Sequence, residues 1–276
     1  MYINNFFSIL LIVSVIYSSS CNGLEVFKVI STDKYFTIYG INSNLYESTK
    51  QYENFLNKFL NQKKFYIRPF KDADINIDKI NIYIYSSVEI FEKINKMKIP
   101  FETYVGGKIN SNSVLLVYNP EIPKKFNETP FEFYQKIIIH ETFHCWQEKN
   151  QYLKNTNEFL TEGTAVLFAN QWFSIKKKEK NFSEEELSIK NILNDPAASY
   201  DLYRLLLEYL LLNFKEKIIE FKNSKDVNIE RKFTDEMKSG FPVFAKKRII
   251  EIKQNKINNN EAREKLLIDL KNNTLN

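Results

Sequence analysis

The sequence predicts an α+β fold, with a mixed-strand part before about residue 125 and a mostly helical part after it. Before Pro120, short runs rich in Val, Ile, Phe and Tyr alternate with helical segments. From Phe131 onward, nearly every segment has apolar residues at helical spacing. The 276 residues are 43% hydrophobic and 15% aromatic, which is enough material for a buried core. We expect residues 21–125 to form the α/β part and residues 126–276 the helical part.

The elements of the first part follow from local patterns. Residues 25–29, 35–39 and 80–85 are β-branched and aromatic runs, which predict strands. Residues 44–61 place Tyr46, Tyr52, Phe55 and Phe59 on one helical face, and residues 88–97 have similar spacing. Gly106-Gly107 predicts a turn between strands at residues 102–105 and 114–118, and three prolines predict a loop over residues 120–130.

The second part is predicted as six helices. Ser183 with Glu186 is a helix start signal, Asp195-Pro196 is a break, and Gly240-Phe241-Pro242 predicts an interruption. The Leu-rich run at residues 205–212 carries Glu208 and is short, which is typical of a buried core helix rather than a membrane span. The predicted helices span residues 131–150, 158–176, 183–193, 197–222, 233–253 and 260–271.

The N-terminus predicts export. Residues 6–17 are an apolar run that is too short to span a membrane, and small residues follow it, so residues 1–20 are interpreted as a signal peptide. Cys21 after Ser18-Ser19-Ser20 resembles the lipobox of bacterial lipoproteins. This resemblance implies a lipid on Cys21 and an extracytoplasmic protein held on a bacterial membrane surface. The alternative is ordinary cleavage, which leaves Cys21 free or in a disulfide and the protein secreted.

The charge balance argues against a nucleic-acid partner. The chain has 39 Lys and Arg against 34 Asp and Glu, a net charge of +5, and both signs are interspersed along it. Such a distribution is typical of a solvated mixed surface rather than of a basic binding face.

Both histidines of the chain lie in one motif, His140-Glu141-Thr142-Phe143-His144. Residues at i and i+4 leave the same face of a helix, so the two imidazoles can bind one metal ion. Glu141 is turned by about 100° and can contact a metal-bound water without displacing it. The pattern is typical of zinc hydrolases, whereas two hydrogen-bonded core histidines are the alternative.

A catalytic zinc site usually has three protein ligands, and no third histidine exists here. A carboxylate or Cys145 must supply the third one. Cys145 is turned by about 100° from the face of His144, which favours a carboxylate. The carboxylate candidate is Glu162, and 17 residues separate it from His144, enough for a turn between two helices.

These motifs carry a resemblance to a known family. His-Glu-x-x-His followed by Phe159-Leu-Thr-Glu-Gly-Thr-Ala165 resembles the gluzincin metallopeptidases, most closely the peptidase MA-like group. The resemblance implies that Glu162 is the third zinc ligand and that the zinc cleft lies between the two parts of the fold. The helical pattern from Tyr200 to Leu210 also resembles that family. It implies that Tyr200 faces the oxyanion of the tetrahedral intermediate; a core aromatic is the alternative.

The sequence therefore predicts an exported, lipid-anchored Zn²⁺ metallopeptidase that hydrolyses peptide or protein substrates. His140, His144 and Glu162 are the expected ligands, and Glu141 is the expected general base. The glycine hairpin resembles the edge strand on which this family aligns an extended substrate. A catalytically inactive surface lipoprotein that uses the same fold as a binding module is the alternative.

Overall fold

A computed structural model describes most of the chain. The described residues are 26–96, 98–99, 105–153, 157–172, 181–194, 200–223, 229–254 and 261–272. The predicted signal peptide, Cys21 and the predicted strand residues 102–104 lie outside them. The chain divides into two compact units, Met1–Arg68 with Asn76–Lys149 and Pro69–Ile75 with Asn150–Asn276. The α+β class is confirmed, because the first unit holds a mixed sheet and helices predominate after it.

The first unit contains a five-stranded sheet with the order β1-β2-β3-β5-β4. β2, β3 and β5 are parallel neighbours, while β1 and β4 are antiparallel strands at the two edges. Strand β4 is therefore paired only through β5 in the described sheet. The strands are β1 Phe27–Thr32, β2 Phe36–Ile41, β3 Ile80–Tyr85, β4 Gly106–Asn110 and β5 Ser113–Val117.

Among the described residues before position 150 there are five helices: α1 Lys50–Asn61, α2 Lys64–Asp72, α3 Val88–Asn95, α4 Glu121–Lys125 and α5 Pro130–Lys149. Helix α5 is joined to the sheet by Tyr134, whose hydroxyl donates to Val117 O at 2.8 Å and accepts from the Asn119 N–H at 2.7 Å. Phe55 of α1 packs on the same ring with centroids 5.2 Å apart. These aromatic contacts fix α5, the helix with both histidines, against β5.

The glycine pair lies inside a strand, so the predicted position of the turn was wrong. Gly106 and Gly107 begin β4, and the chain reverses between Asn110 and Ser113. Gly106 has a φ of 147°, and a Cβ on it would come within 2.1 Å of Leu115 O on β5. Position 106 therefore requires glycine because two backbones approach each other closely there, not because the chain turns.

The second unit is helical in its described part, apart from the connecting segments. Helix α8 is buried along nearly its whole length, which confirms the predicted core helix around residues 205–212. The elements are α6 Glu158–Phe168, α7 Ile189–Asn194, α8 Tyr200–Asn213, α9 Lys215–Lys222, a 3₁₀ turn Ile229–Lys232, α10 Asp235–Lys253 and α11 Glu261–Lys271.

Four predictions about the helices of the second unit were wrong. Helix α6 ends at Phe168 rather than residue 176, α7 begins only at Ile189, and the predicted helix 197–222 is divided at Phe214 into α8 and α9. The predicted interruption at Gly240-Phe241-Pro242 does not occur, since α10 is continuous with Pro242 inside it. The Thr234 cap and a buried face that includes Phe241 and Ala245 outweigh the hydrogen bond that proline cannot donate.

Helix α2 and the short helix α4 were not predicted. The predicted loop at residues 120–130 was wrong for α4, which contains Pro123, and α2 contains Pro69. Within the described residues, every helix is too short or too polar to cross a bilayer.

Candidate metal centre

The Nε2 atoms of the two histidines of α5 face each other. His140 is 4% exposed and His144 is 9% exposed, and their Nε2 atoms are 2.9 Å apart. A zinc ion bonded to both at about 2.1 Å in tetrahedral geometry would hold these atoms about 3.4 Å apart. The observed arrangement thus needs only a small adjustment to accept such an ion.

Gln147 orients the second histidine, and the sequence analysis missed it. Its Oε1 lies 2.7 Å from His144 Nδ1, and its side chain is buried. With Nδ1–H donating to this amide oxygen, the lone pair of His144 is on Nε2, the atom that faces His140. The available signal was the spacing, because Gln147 is three residues after His144 and so lies on the same helix face.

Glu141 is held by the edge of the sheet. Its Oε2 accepts the main-chain N–H of Lys108 at 2.7 Å, and its side chain is half-buried. Its other carboxylate oxygen, Oε1, takes no part in this hydrogen bond. The residue predicted as the general base is therefore positioned by strand β4.

Cys145 faces strand β4 and makes a hydrogen bond to it. The side chain is 1% exposed, and Sγ donates to Asn110 O at 3.3 Å. Burial raises the pKa of the thiol to about 12, so it stays protonated at neutral pH. A thiolate is the form that binds zinc, and this environment disfavours it.

Glu162 lies one turn into α6, and its neighbour Gly163 sets the packing of that helix. A Cβ on Gly163 would come within 2.8 Å of the main-chain oxygen of Tyr203, so α6 and α8 approach each other closely at this point. The Glu-Gly pair thus combines a carboxylate with a helix contact that only glycine permits.

Glu158 lies one turn before Glu162 on the same helix. Burial raises the pKa of the Glu158 carboxyl, and the nearby charge of Glu162 raises it further. The N-cap of this helix is Asn157, whose side chain accepts from the Phe159 N–H at 3.0 Å. Glu158 is therefore the first residue of α6.

His140, His144 and Glu162 form a group that could hold a metal ion. One potential ligand atom from each lies within 4.8 Å of the others. Among the described residues, no other set of three His, Cys, Asp or Glu side chains meets this condition. Two imidazole nitrogens and one carboxylate oxygen are a donor set that zinc accepts at catalytic sites.

Tyr200 is the first residue of α8 and is 41% exposed. Its ring stacks on that of the buried Tyr203, with centroids 6.2 Å apart. This exposure argues against the alternative that Tyr200 is a core aromatic.

Comparisons with protein-family models, with curated proteins and with solved structures found no match to this chain.

Proposed function

We propose that this protein is an exported zinc metallopeptidase of the gluzincin type. The observation that carries the proposal is the group of His140, His144 and Glu162, which joins the two histidines of the chain to the carboxylate of the Glu-Gly motif. Zn²⁺ bound by these residues would lower the pKa of a coordinated water and polarise a substrate carbonyl.

The other residues have roles that follow from their contacts. Glu141 takes the proton of the attacking water and transfers it to the leaving amine. The N–H of Lys108 keeps one oxygen of Glu141 fixed, and Gln147 keeps His144 in the tautomer with a free Nε2. Tyr200 is the proposed donor to the oxyanion, and its exposed position at the start of α8 is compatible with contact to a ligand.

The proposed substrate is an extended peptide or a protein segment. Strand β4 is an edge strand, and its outer groups beyond Lys108 can pair with the main chain of a peptide. This pairing would explain why a general base and a sheet edge are in contact.

A lipid on Cys21 is the proposed anchor, which would hold the protein on a bacterial membrane surface outside the cytoplasm. The support is the sequence alone, since Cys21 lies outside the described residues. Intact-mass spectrometry of the mature N-terminus tests this. Acylated Cys21 is the expected result, and an unmodified Cys21 or a cut elsewhere would show that the protein is secreted.

Zinc content per chain tests the ligand set. Residues 22–276 should retain about one zinc as wild type, and Glu162→Ala should lose it or bind it much more weakly. Glu158→Ala is the matched control, because it removes a carboxylate one turn earlier on the same helix. Equal zinc content in both variants would refute Glu162 as a ligand.

Peptide cleavage tests the reaction. Zinc-loaded wild type should cleave members of a peptide library, whereas Glu141→Gln should keep its zinc and lose about 10²-fold or more of the turnover. Zinc binding without any cleavage would favour the binding module instead. Full activity of the Gln variant would remove Glu141 from the mechanism.

A further inference from the structure

One face of helix α5 is attached to the edge strand by three polar contacts. Glu141, Cys145 and Glu148 lie at i, i+4 and i+7, so they form one ridge along the helix. Glu141 accepts the Lys108 N–H, Cys145 donates to Asn110 O, and Glu148 pairs with the ammonium of Lys108. Lys108 therefore contacts this ridge through both its main chain and its side chain.

The N–H of Lys108 points away from the sheet. In an antiparallel pair, alternate residues of a strand direct their N–H and C=O groups inward, toward the partner strand. Val105, just before β4, is such an inward position, because its main-chain oxygen accepts from the Val117 N–H of β5 at 2.9 Å. Gly107 follows as the next inward position, and Lys108 is turned to the free edge. Its N–H would meet water there, but it donates to Glu141 at 2.7 Å instead.

A carboxylate that is fixed by one oxygen has a defined direction for the other. The side chain of Glu141 can occupy several staggered rotamers, so the position of its carboxylate depends on what it contacts. A charge-assisted hydrogen bond from a backbone donor is short and directional. The ion pair of Lys108 with Glu148 holds the same strand residue on the helix from a second point, two turns further along α5.

We propose that Lys108 is a positioning residue for Glu141. Its main-chain N–H fixes Oε2, which leaves Oε1 for the water, and its ammonium keeps β4 aligned on the helix through Glu148. The catalytic meaning of this arrangement rests on the proposed function. The contact itself does not, and it can be measured without any substrate.

Amide hydrogen exchange at Lys108 tests the contact by NMR on the zinc-loaded protein. Wild type and Glu141→Gln should protect this N–H, because both offer an oxygen acceptor, and Glu141→Ala should exchange about tenfold faster or more. The Gly107 N–H is the internal control. An unchanged rate at Lys108 in the Ala variant would overturn the proposal, whether or not the protein cleaves peptides.

Two variants at residue 108 separate the main chain from the side chain. Lys108→Ala keeps the N–H and loses the ammonium, whereas Lys108→Pro loses both. Proline is tolerated on an edge strand where the N–H faces outward. We expect Lys108→Pro to lower kcat about tenfold further than Lys108→Ala, with unchanged KM and zinc content.

The outcomes are distinct. Equal kcat in the Ala and Pro variants, both folded and zinc-loaded, would refute the positioning role. Absence of cleavage by the wild type would refute the proposed function, while the exchange experiment would still decide on the contact. If Lys108→Pro does not fold, the comparison of exchange in Glu141→Ala and Glu141→Gln remains decisive.

Discussion

Replacement of Glu208 by Ala should destabilise the second unit strongly. Glu208 is fully buried on α8, and it is the shared partner of two arginines. Its Oε1 accepts from Arg204 Nε at 2.8 Å, and its Oε2 accepts from Arg248 Nε at 2.9 Å. The variant would leave these donors without their carboxylate.

The expected size of the effect comes from the burial of Arg204. This residue is 0% exposed and keeps its contacts with Gln171 O at 2.7 Å and with the Trp172 ring at 3.6 Å. Burial lowers the pKa of its guanidinium, but an arginine stays charged in a protein, so it cannot escape the penalty by losing its proton. Removal of one partner from a buried ion pair costs about 3–5 kcal/mol.

Urea unfolding followed by far-UV circular dichroism and by tryptophan fluorescence measures this. Trp172 contacts Arg204 directly and therefore reports on the site. In a thermal scan the same loss should lower Tm by roughly 6–20 °C for a unit of this size. The double variant Arg204→Met with Glu208→Leu is the control, because it replaces both members of the fully buried pair by apolar side chains, while Arg248 keeps its second partner, Glu251.

Two results would contradict this reasoning. A Glu208→Ala protein within about 1 kcal/mol of wild type would mean that water or relaxation replaces the carboxylate. A double variant as unstable as the single one would mean that packing, rather than an uncompensated charge, determines the loss.

Three further expectations concern the site. Gly163→Ala should destabilise the protein by about 1–3 kcal/mol, because its Cβ would lie 2.8 Å from Tyr203 O; calorimetry that shows no loss would contradict the close approach. Cys145 should resist iodoacetamide at pH 8 in the folded protein, since its pKa is raised to about 12, and it should react once urea unfolds the chain; rapid native labelling would be inconsistent with that burial. Tyr200→Phe should lower turnover by about 10²-fold at unchanged zinc content if its phenol meets the oxyanion, and unchanged turnover would remove it from the mechanism.

The parts of the fold that were predictable are those that local geometry determines. The His140–His144 pair is an example, because i,i+4 spacing on any helix brings two rings together. Strand β3 and helix α5 were also placed within a residue of their observed bounds. In both, the apolar pattern and the tertiary packing agree.

The parts that were missed depend on distant residues. Gly106 looked like a turn because its close contact, Leu115 O, lies on another strand. Pro242 looked like a break because the packing that keeps α10 helical comes from other elements. The contact of Glu141 with the Lys108 N–H could not be predicted either, because every residue except proline has a main-chain N–H and the sequence does not indicate which one will meet a carboxylate.

The parallel pairing of β2, β3 and β5 has a consequence for the order of folding. β2 ends at Ile41 and its partner β3 begins only at Ile80, so the chain must close a long loop before these strands can pair. β4 and β5 are joined by the short reversal between Asn110 and Ser113, so their hairpin closes without a long loop, and Glu141 gains its hydrogen bond only when α5 packs against that hairpin. Protection of the Lys108 amide in a pulse-labelling refolding experiment would therefore date the packing of α5 on the edge of the sheet, and the Glu141 carboxylate would have no fixed direction until that moment.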